Sequence, residues 1–180
     1  ARHDGGNELC DIDGLLGANP NMALVKIRTI CDIRDRYPEL AHVKLEVHEF
    51  GILWADVYQL NKKFAFRGPE TDARGAAWTF QSYSLFLENG FTRVFQWGKA
   101  SRVGKDWLLF GHMWLNAMME RMVGGELRVL DVRSAAPAGT TLKGWVVSKP
   151  DRAYVVLSSH HIDRKVTPKL KVDVALPAAL

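Results

Sequence analysis

Apolar positions along the first third of the chain fall into two rhythms. Ala23, Ile27, Ile30, Ile33 and Tyr37 recur at three- and four-residue steps, which predicts a helix. Asn19-Pro20 would open it, Asn as N-cap and Pro at the first helical position, and Pro38 would close it. Residues 43–50, V-K-L-E-V-H-E-F, alternate instead and predict a strand that breaks at Gly51. A long connection, Gly51 to Glu70, follows. Connections in compact domains have a median near 4–6 residues, so one this long is expected to be functional or disordered. Trp54, Tyr58, Phe64 and Phe66 argue against disorder.

Thr71 is placed to cap a second helix carrying Ala73, Ala76, Phe80, Tyr83 and Leu87 on one face, and Asn89-Gly90 to end it. F-T-R-V-F-Q-W (91–97) predicts a strand ending at Gly98, and a third helix is expected from Asp106 to Met122, stopped by Gly124-Gly125. Beyond Gly125 the pattern turns to short β-rich runs: E-L-R-V-L-D-V, T-L-K-G-W-V-V-S, A-Y-V-V-L-S-S and K-V-D-V-A-L. Pro137-Ala138-Gly139 and Lys149-Pro150-Asp151 punctuate them. The order predicts an α/β unit with parallel strands and helical crossovers over 1–124, then an antiparallel, sandwich-like domain over 125–180.

Composition fits a folded chain. Of 180 residues 47% are hydrophobic and 24% charged, and six Trp, eight Phe and four Tyr supply both core and rings on which sugars or bases stack. The net charge of +4 is spread among both signs. No basic block marks a nucleic-acid arm, and no apolar run is long enough to span a membrane. The chain begins at Ala1 without a signal-like segment and stops in strand-like V-A-L-P-A-A-L, so a processed chain or fragment is expected. Cys10 and Cys31 leave open whether they pair.

In a parallel α/β barrel, chemistry sits at the C-terminal ends of strands and in the loops that follow, and Glu49 and Trp97 end the two predicted strands. Two strands cannot close such a barrel, which takes eight strands and about 250 residues. R-x-x-Y-P-E-L-x-x-V-K-L-E-V-H-E-F-G resembles the seventh-strand region of retaining glycoside hydrolases, and is most similar to family 39, the β-xylosidase and α-L-iduronidase type. F-Q-W-G resembles the eighth strand of that family, and G-H-M-W-L-N-A-M-M the helix that leaves the barrel before a β-sandwich.

This resemblance implies the last strands and helices of a (β/α)8 barrel, followed by a β-sandwich-like domain. It implies a glycosidase, with Glu49 as nucleophile, Trp97 flooring the sugar site and His3 at the frayed end of a sixth strand. Substrate contacts would also come from His48, Trp54, Lys63 and Arg67, the last two suited to an anionic sugar or else forming a solvated basic rim. A carbohydrate substrate is implied, with neither a cofactor nor a metal. A second polypeptide or a missing N-terminal segment would complete the barrel.

A retaining glycosidase also needs an acid/base about 5–5.5 Å from its nucleophile. Asn7-Glu8 has the dipeptide such families use, but three strand–helix units of about 30 residues each cannot fit between Glu8 and Glu49. The acid is therefore expected outside this chain. Alternation groups Leu45, Val47 and Glu49 on one face, expected to be the lumen, with Glu46 and His48 toward the helices. His160-His161-x-Asp163 places its histidines on opposite strand faces, which favours a turn-exposed pair over a metal site, and His112 reads as a core histidine. The competing class is a non-catalytic carbohydrate-binding or scaffold module, which would keep the aromatics and lack the second acid.

Overall fold

The computed structural model describes residues 27–50, 73–96, 100–103, 106–109, 111–130, 132, 136–161 and 169–173. Helix α1 occupies 27–36, and Pro38–Leu40 forms a single 3-10 turn behind it. Strand β1 runs Leu45–Phe50, helix α2 Ala73–Glu88 and strand β2 Phe91–Gln96. Strands β3 (Ala100–Val103) and β4 (Asp106–Leu109) form an antiparallel hairpin before helix α3, Gly111–Glu120. Strands β5 (Glu126–Leu130), β6 (Thr140–Lys149) and β7 (Arg152–His161) make a three-stranded antiparallel sheet in that order.

β1 and β2 pair in parallel, as expected of a strand–helix–strand unit. Their register slips twice. Leu45 pairs with Phe91 but Glu46 with Arg93, and Val47 pairs with Val94 but Phe50 with Gln96. The first slip leaves Thr92 as an extra residue in β2, where its hydroxyl donates to the Leu45 carbonyl at 3.3 Å. The second leaves an extra residue in β1, so strict alternation fails between Val47 and Phe50.

Helix α2 is the centre of the molecule. Leu85 and Phe86 join Ile27 of α1 and Phe91 of β2, with Cys31, Leu45, Val47 and Val94 packed against them. Phe80 joins Leu115 and Met122 with Trp145, Val147 and Val156 of the three-stranded sheet. Phe80 and Trp145 are 2% and 3% exposed, and their rings lie 4.3 Å apart. One helix thus serves two layers, and its burial runs nearly all round rather than along the expected stripe.

Small polar residues permit that burial. Ser82 and Ser84 donate to the carbonyls of Trp78 and Phe80 one turn back, each at 2.9 Å, so no buried hydroxyl is left unpaired there. Gln81 donates to the Thr141 carbonyl at 2.9 Å, and Ser158 to that of Ala77 at 3.4 Å. Lys143 spans both carboxylate oxygens of Glu88 at 2.6 and 2.7 Å. The core therefore runs without a break across positions 124 and 125. Gly90 ends α2 at φ 77, the left-handed conformation expected there.

Three expectations are corrected. Residues 106–122 are not one helix. Asp106–Leu109 pairs as a strand, because an apolar run of this kind suits strand and helix equally and A-S-R-V lies two residues before it as a partner. Among the described residues of the first predicted stripe Ile27 alone is buried; Ile30, Ile33 and Tyr37 are exposed, and half-buried Cys31 packs instead, while Ala23 lies outside the described residues. Cys31 is a free thiol that donates to the Asn89 carbonyl at 3.4 Å. His160 and His161 do face opposite sides of β7, but they are not an exposed pair: His160 is 4% exposed, whereas His161 is half-buried at the end of β7, its ring 3.2 Å from the Ala138 carbonyl oxygen of the neighbouring turn. No strand occurs within 171–173, the described part of the fourth β-rich run.

Candidate functional site

Glu49 is the fifth of the six residues of β1, two positions after the last regular pair, Val47 with Val94. The register resumes one residue later, where Phe50 pairs with Gln96 at the C-terminal end of β2. His3, Trp54, Lys63, Arg67 and Trp97 lie outside the described residues, as do Cys10 and Asn7-Glu8. Of the residues expected to contact substrate, the structure therefore describes His48 alone. It sits on β1 immediately before Glu49.

The two faces of the β1–β2 pair are the reverse of the expected assignment. Leu45 and Val47 pack with Val94 against Ile27, Leu85 and Phe86, so this apolar face meets the helices. Glu46 and His48 occupy the opposite, open face. Alternation in a sequence separates two faces without saying which one receives the helices, and an apolar parity suits either. Glu46 finds its partners within the open face, not among the helices.

Those partners make a small cluster. Glu46 Oε1 is 3.5 Å from Arg93 Nη1, its register partner on β2, and Oε2 is 3.6 Å from His48 Nε2. Both distances exceed a good N–H···O hydrogen bond, so the Glu46–Arg93 ion pair is loose and the His48 ring is a polar neighbour of the carboxylate. The His48 ring meets Phe95 edge-on, with centroids 6.0 Å apart at 84°. Glu46 keeps 25% side-chain exposure while His48 keeps 83%, and Phe95 is 50% exposed. The composition is an aromatic surface flanked by a carboxylate, a guanidinium and an imidazole. Arg93 and Phe95 escaped the sequence reading; their signal was the same-face spacing within F-T-R-V-F-Q-W, opposite Glu46 and His48.

A groove of about 500 Å³ runs along β2 on the side away from β1, between α2, α3 and β6. Tyr83, Gln96, His112, Asn116, Met119 and Trp145 are among its lining residues. The Tyr83 hydroxyl donates to Gln96 Oε1 at 3.0 Å, and burial pushes its pKa up to about 12. His112 is buried at the start of α3, as expected. Among the described residues β2 pairs with β1 alone, so its other edge faces this groove.

Among the described residues no group of His, Cys, Asp or Glu has the arrangement to hold a metal ion. No described helix is long and apolar enough to cross a membrane. No family model, curated protein or solved structure matches the chain.

Proposed function

We propose that the chain forms the last two strand–helix units of a (β/α)8 barrel in a retaining glycoside hydrolase, with Glu49 as nucleophile. The observation that carries this reading is the parallel β1–α2–β2 unit, in which Glu49 lies at the C-terminal end of its strand beside the C-terminal end of the next. Chemistry collects at that end of parallel strands. The register slip between Val47 and Phe50 adds support, since strand irregularities concentrate beside active sites and re-aim side chains there. In this reading residues 125–180 contribute a β-rich accessory layer that shares its core with α2 and α3.

The reaction follows the retaining scheme. The Glu49 carboxylate attacks the anomeric carbon, and the glycosidic C–O bond breaks as an acid protonates the departing oxygen. Water then attacks the glycosyl-Glu49 ester with the same group, now deprotonated, acting as base. Trp97 floors the bound sugar, and His48, His3, Trp54, Lys63 and Arg67 contact it. The acid comes from polypeptide beyond this chain, which also completes the barrel. Two features support a completing segment: the edge of β2 along the groove has no strand partner among the described residues, and Ile30, Ile33 and Tyr37 present apolar surface.

Glu49→Gln in the complete enzyme tests this. Turnover of an aryl glycoside should vanish while the circular dichroism spectrum and unfolding midpoint stay at parental values. Retained turnover in the folded variant would remove Glu49 from the chemistry.

A further inference from the structure

We infer that the open edge of β2 takes an added β-strand, an extended segment of polypeptide whose every second residue is apolar. The inference stands on the strand edge and the groove beside it. It rests on the barrel reading only for the source of that segment, the completing polypeptide.

Among the described residues β2 pairs with β1 on one side and with no strand on the other. Sheets in folded domains commonly have about 4–6 strands, and this parallel sheet has two. The N–H and C=O groups along an unpaired edge form a regular row of donors and acceptors, which another extended backbone matches in full. A small molecule in the groove would leave most of that row unmet.

Proteins blunt an edge they keep bare with proline or with charged side chains, lysine above all. The strand F-T-R-V-F-Q holds no proline and a single charge, Arg93. That guanidinium lies 3.5 Å from Glu46 of β1, toward the paired side, and does not guard the open one.

The surroundings of the edge receive side chains as well as backbone. Residues 92–96 all line the groove in succession, odd and even positions alike, as they do where a groove follows an edge and not one face. Its helix side carries Leu87, Met113 and Met119, with Trp145 of β6 beside them. All but Trp145 keep some exposure, and methionine adapts to apolar shapes of many kinds. Successive side chains of an added strand point to opposite sides, so every second one meets this wall. Main-chain pairing combined with pockets for alternate side chains is how strand addition achieves affinity and specificity together.

The probe is a short peptide of alternating valine and threonine with lysine at each end, added to the 180-residue chain. Its controls are the same composition with the valines grouped, and two versions methylated on alternate backbone nitrogens, one in each phase. Amide hydrogen exchange and chemical shifts are followed by NMR. Amides within 92–96 that do not bond to β1 should exchange fast in the chain alone and slow down with peptide. Grouping the valines should weaken binding about tenfold. One methylated phase should lose about tenfold or more, the scale of two lost main-chain hydrogen bonds, while the other binds like the parent peptide. Protection of those amides in the chain alone would overturn the inference, since the edge is then already taken. Shifts confined to the edges of β5 or β7, equal binding of both methylated phases, or no shift at 92–96 in millimolar peptide would overturn it too.

Failure here separates from failure of the glycosidase reading. Strand addition at β2 in a protein whose complete form turns over glycosides with Glu49→Gln keeps the strand site and removes the nucleophile. Turnover abolished by Glu49→Gln, with the peptide indifferent to 92–96, does the reverse.

Discussion

Phe80→Ala is the perturbation that most sharply tests how the two layers are held together. Phe80 is 2% exposed, stacks at 4.3 Å on Trp145 of β6, and shares a cluster with Leu115 and Met122 on one side and Val147 and Val156 on the other. Truncating a buried Phe costs about 3–5 kcal/mol, through lost transfer energy and the cavity left behind. That is a large share of the 5–15 kcal/mol typical of a native domain. The α2 helix, the three-stranded sheet and α3 share this core, so the loss should reach all of them together. With a urea slope of about 2 kcal/mol per M, the midpoint should fall by about 2 M.

The assay is urea unfolding followed in parallel by tryptophan fluorescence and far-ultraviolet circular dichroism. Coincident curves, both shifted, are expected, and Phe80→Leu should fall between parent and Ala. A midpoint change under about 0.5 M would refute the packing argument, since it implies a loss near 1 kcal/mol at this slope. Two separated transitions, only one of which moves, would refute the shared core.

Gly125→Ala should destabilise by about 1–3 kcal/mol, because an added Cβ would lie 2.5 Å from Val147 Cγ1 and 2.9 Å from the Ser148 carbonyl oxygen; differential scanning calorimetry reads this as a Tm several degrees lower. Lys143→Met should cost about 1 kcal/mol by removing the cation that spans Glu88, and salt should weaken the parent's advantage; an identical denaturation curve at low salt would refute it. Tyr83, whose folded pKa of about 12 lies above the ordinary value of 10.0, stabilises the fold fully below pH 10. The unfolded phenol releases its proton first, so this contribution should be lost as pH rises from 10 to about 12, and Tyr83→Phe should remove that part of the alkaline destabilisation.

Much of the backbone was legible from the chain because its signals are local. The alternation in V-K-L-E-V-H-E-F and F-T-R-V-F-Q-W marked both parallel strands, and Asn89-Gly90 marked the end of α2 through the one residue type at ease with φ 77. What escaped depends on neighbours. D-W-L-L pairs as a strand because A-S-R-V is there to meet it, and the signal was the Gly-Lys dipeptide between them. The faces of β1 were reversed because parity separates Leu45 from Glu46 but does not say where Leu85 and Phe86 will dock. The slip that adds a residue before Phe50 leaves no mark in a pattern read one strand at a time. Burial of Ser82 and Ser84 was hidden for a similar reason: the acceptors are main-chain carbonyls, which every sequence has.

At the candidate site, chemistry was easier to read than placement. His48 and Glu49, with Glu46 before them, stood out as polar residues set into β1, whose other members are apolar. That Glu46, Arg93 and Phe95 gather beside His48 needed the cross-strand register.

The central claim is a covalent bond to Glu49. The most direct measurement is peptide-mapping mass spectrometry of the complete enzyme after reaction with 2-deoxy-2-fluoro glycosyl fluorides of the gluco and xylo series, which let the glycosyl ester form and slow its hydrolysis. The account predicts a fluorosugar mass increment on the peptide spanning residues 45–50, localised to Glu49 and absent from Glu49→Gln. An increment on any other carboxylate, or an enzyme that turns over glycosides with Glu49 unlabelled, would contradict it.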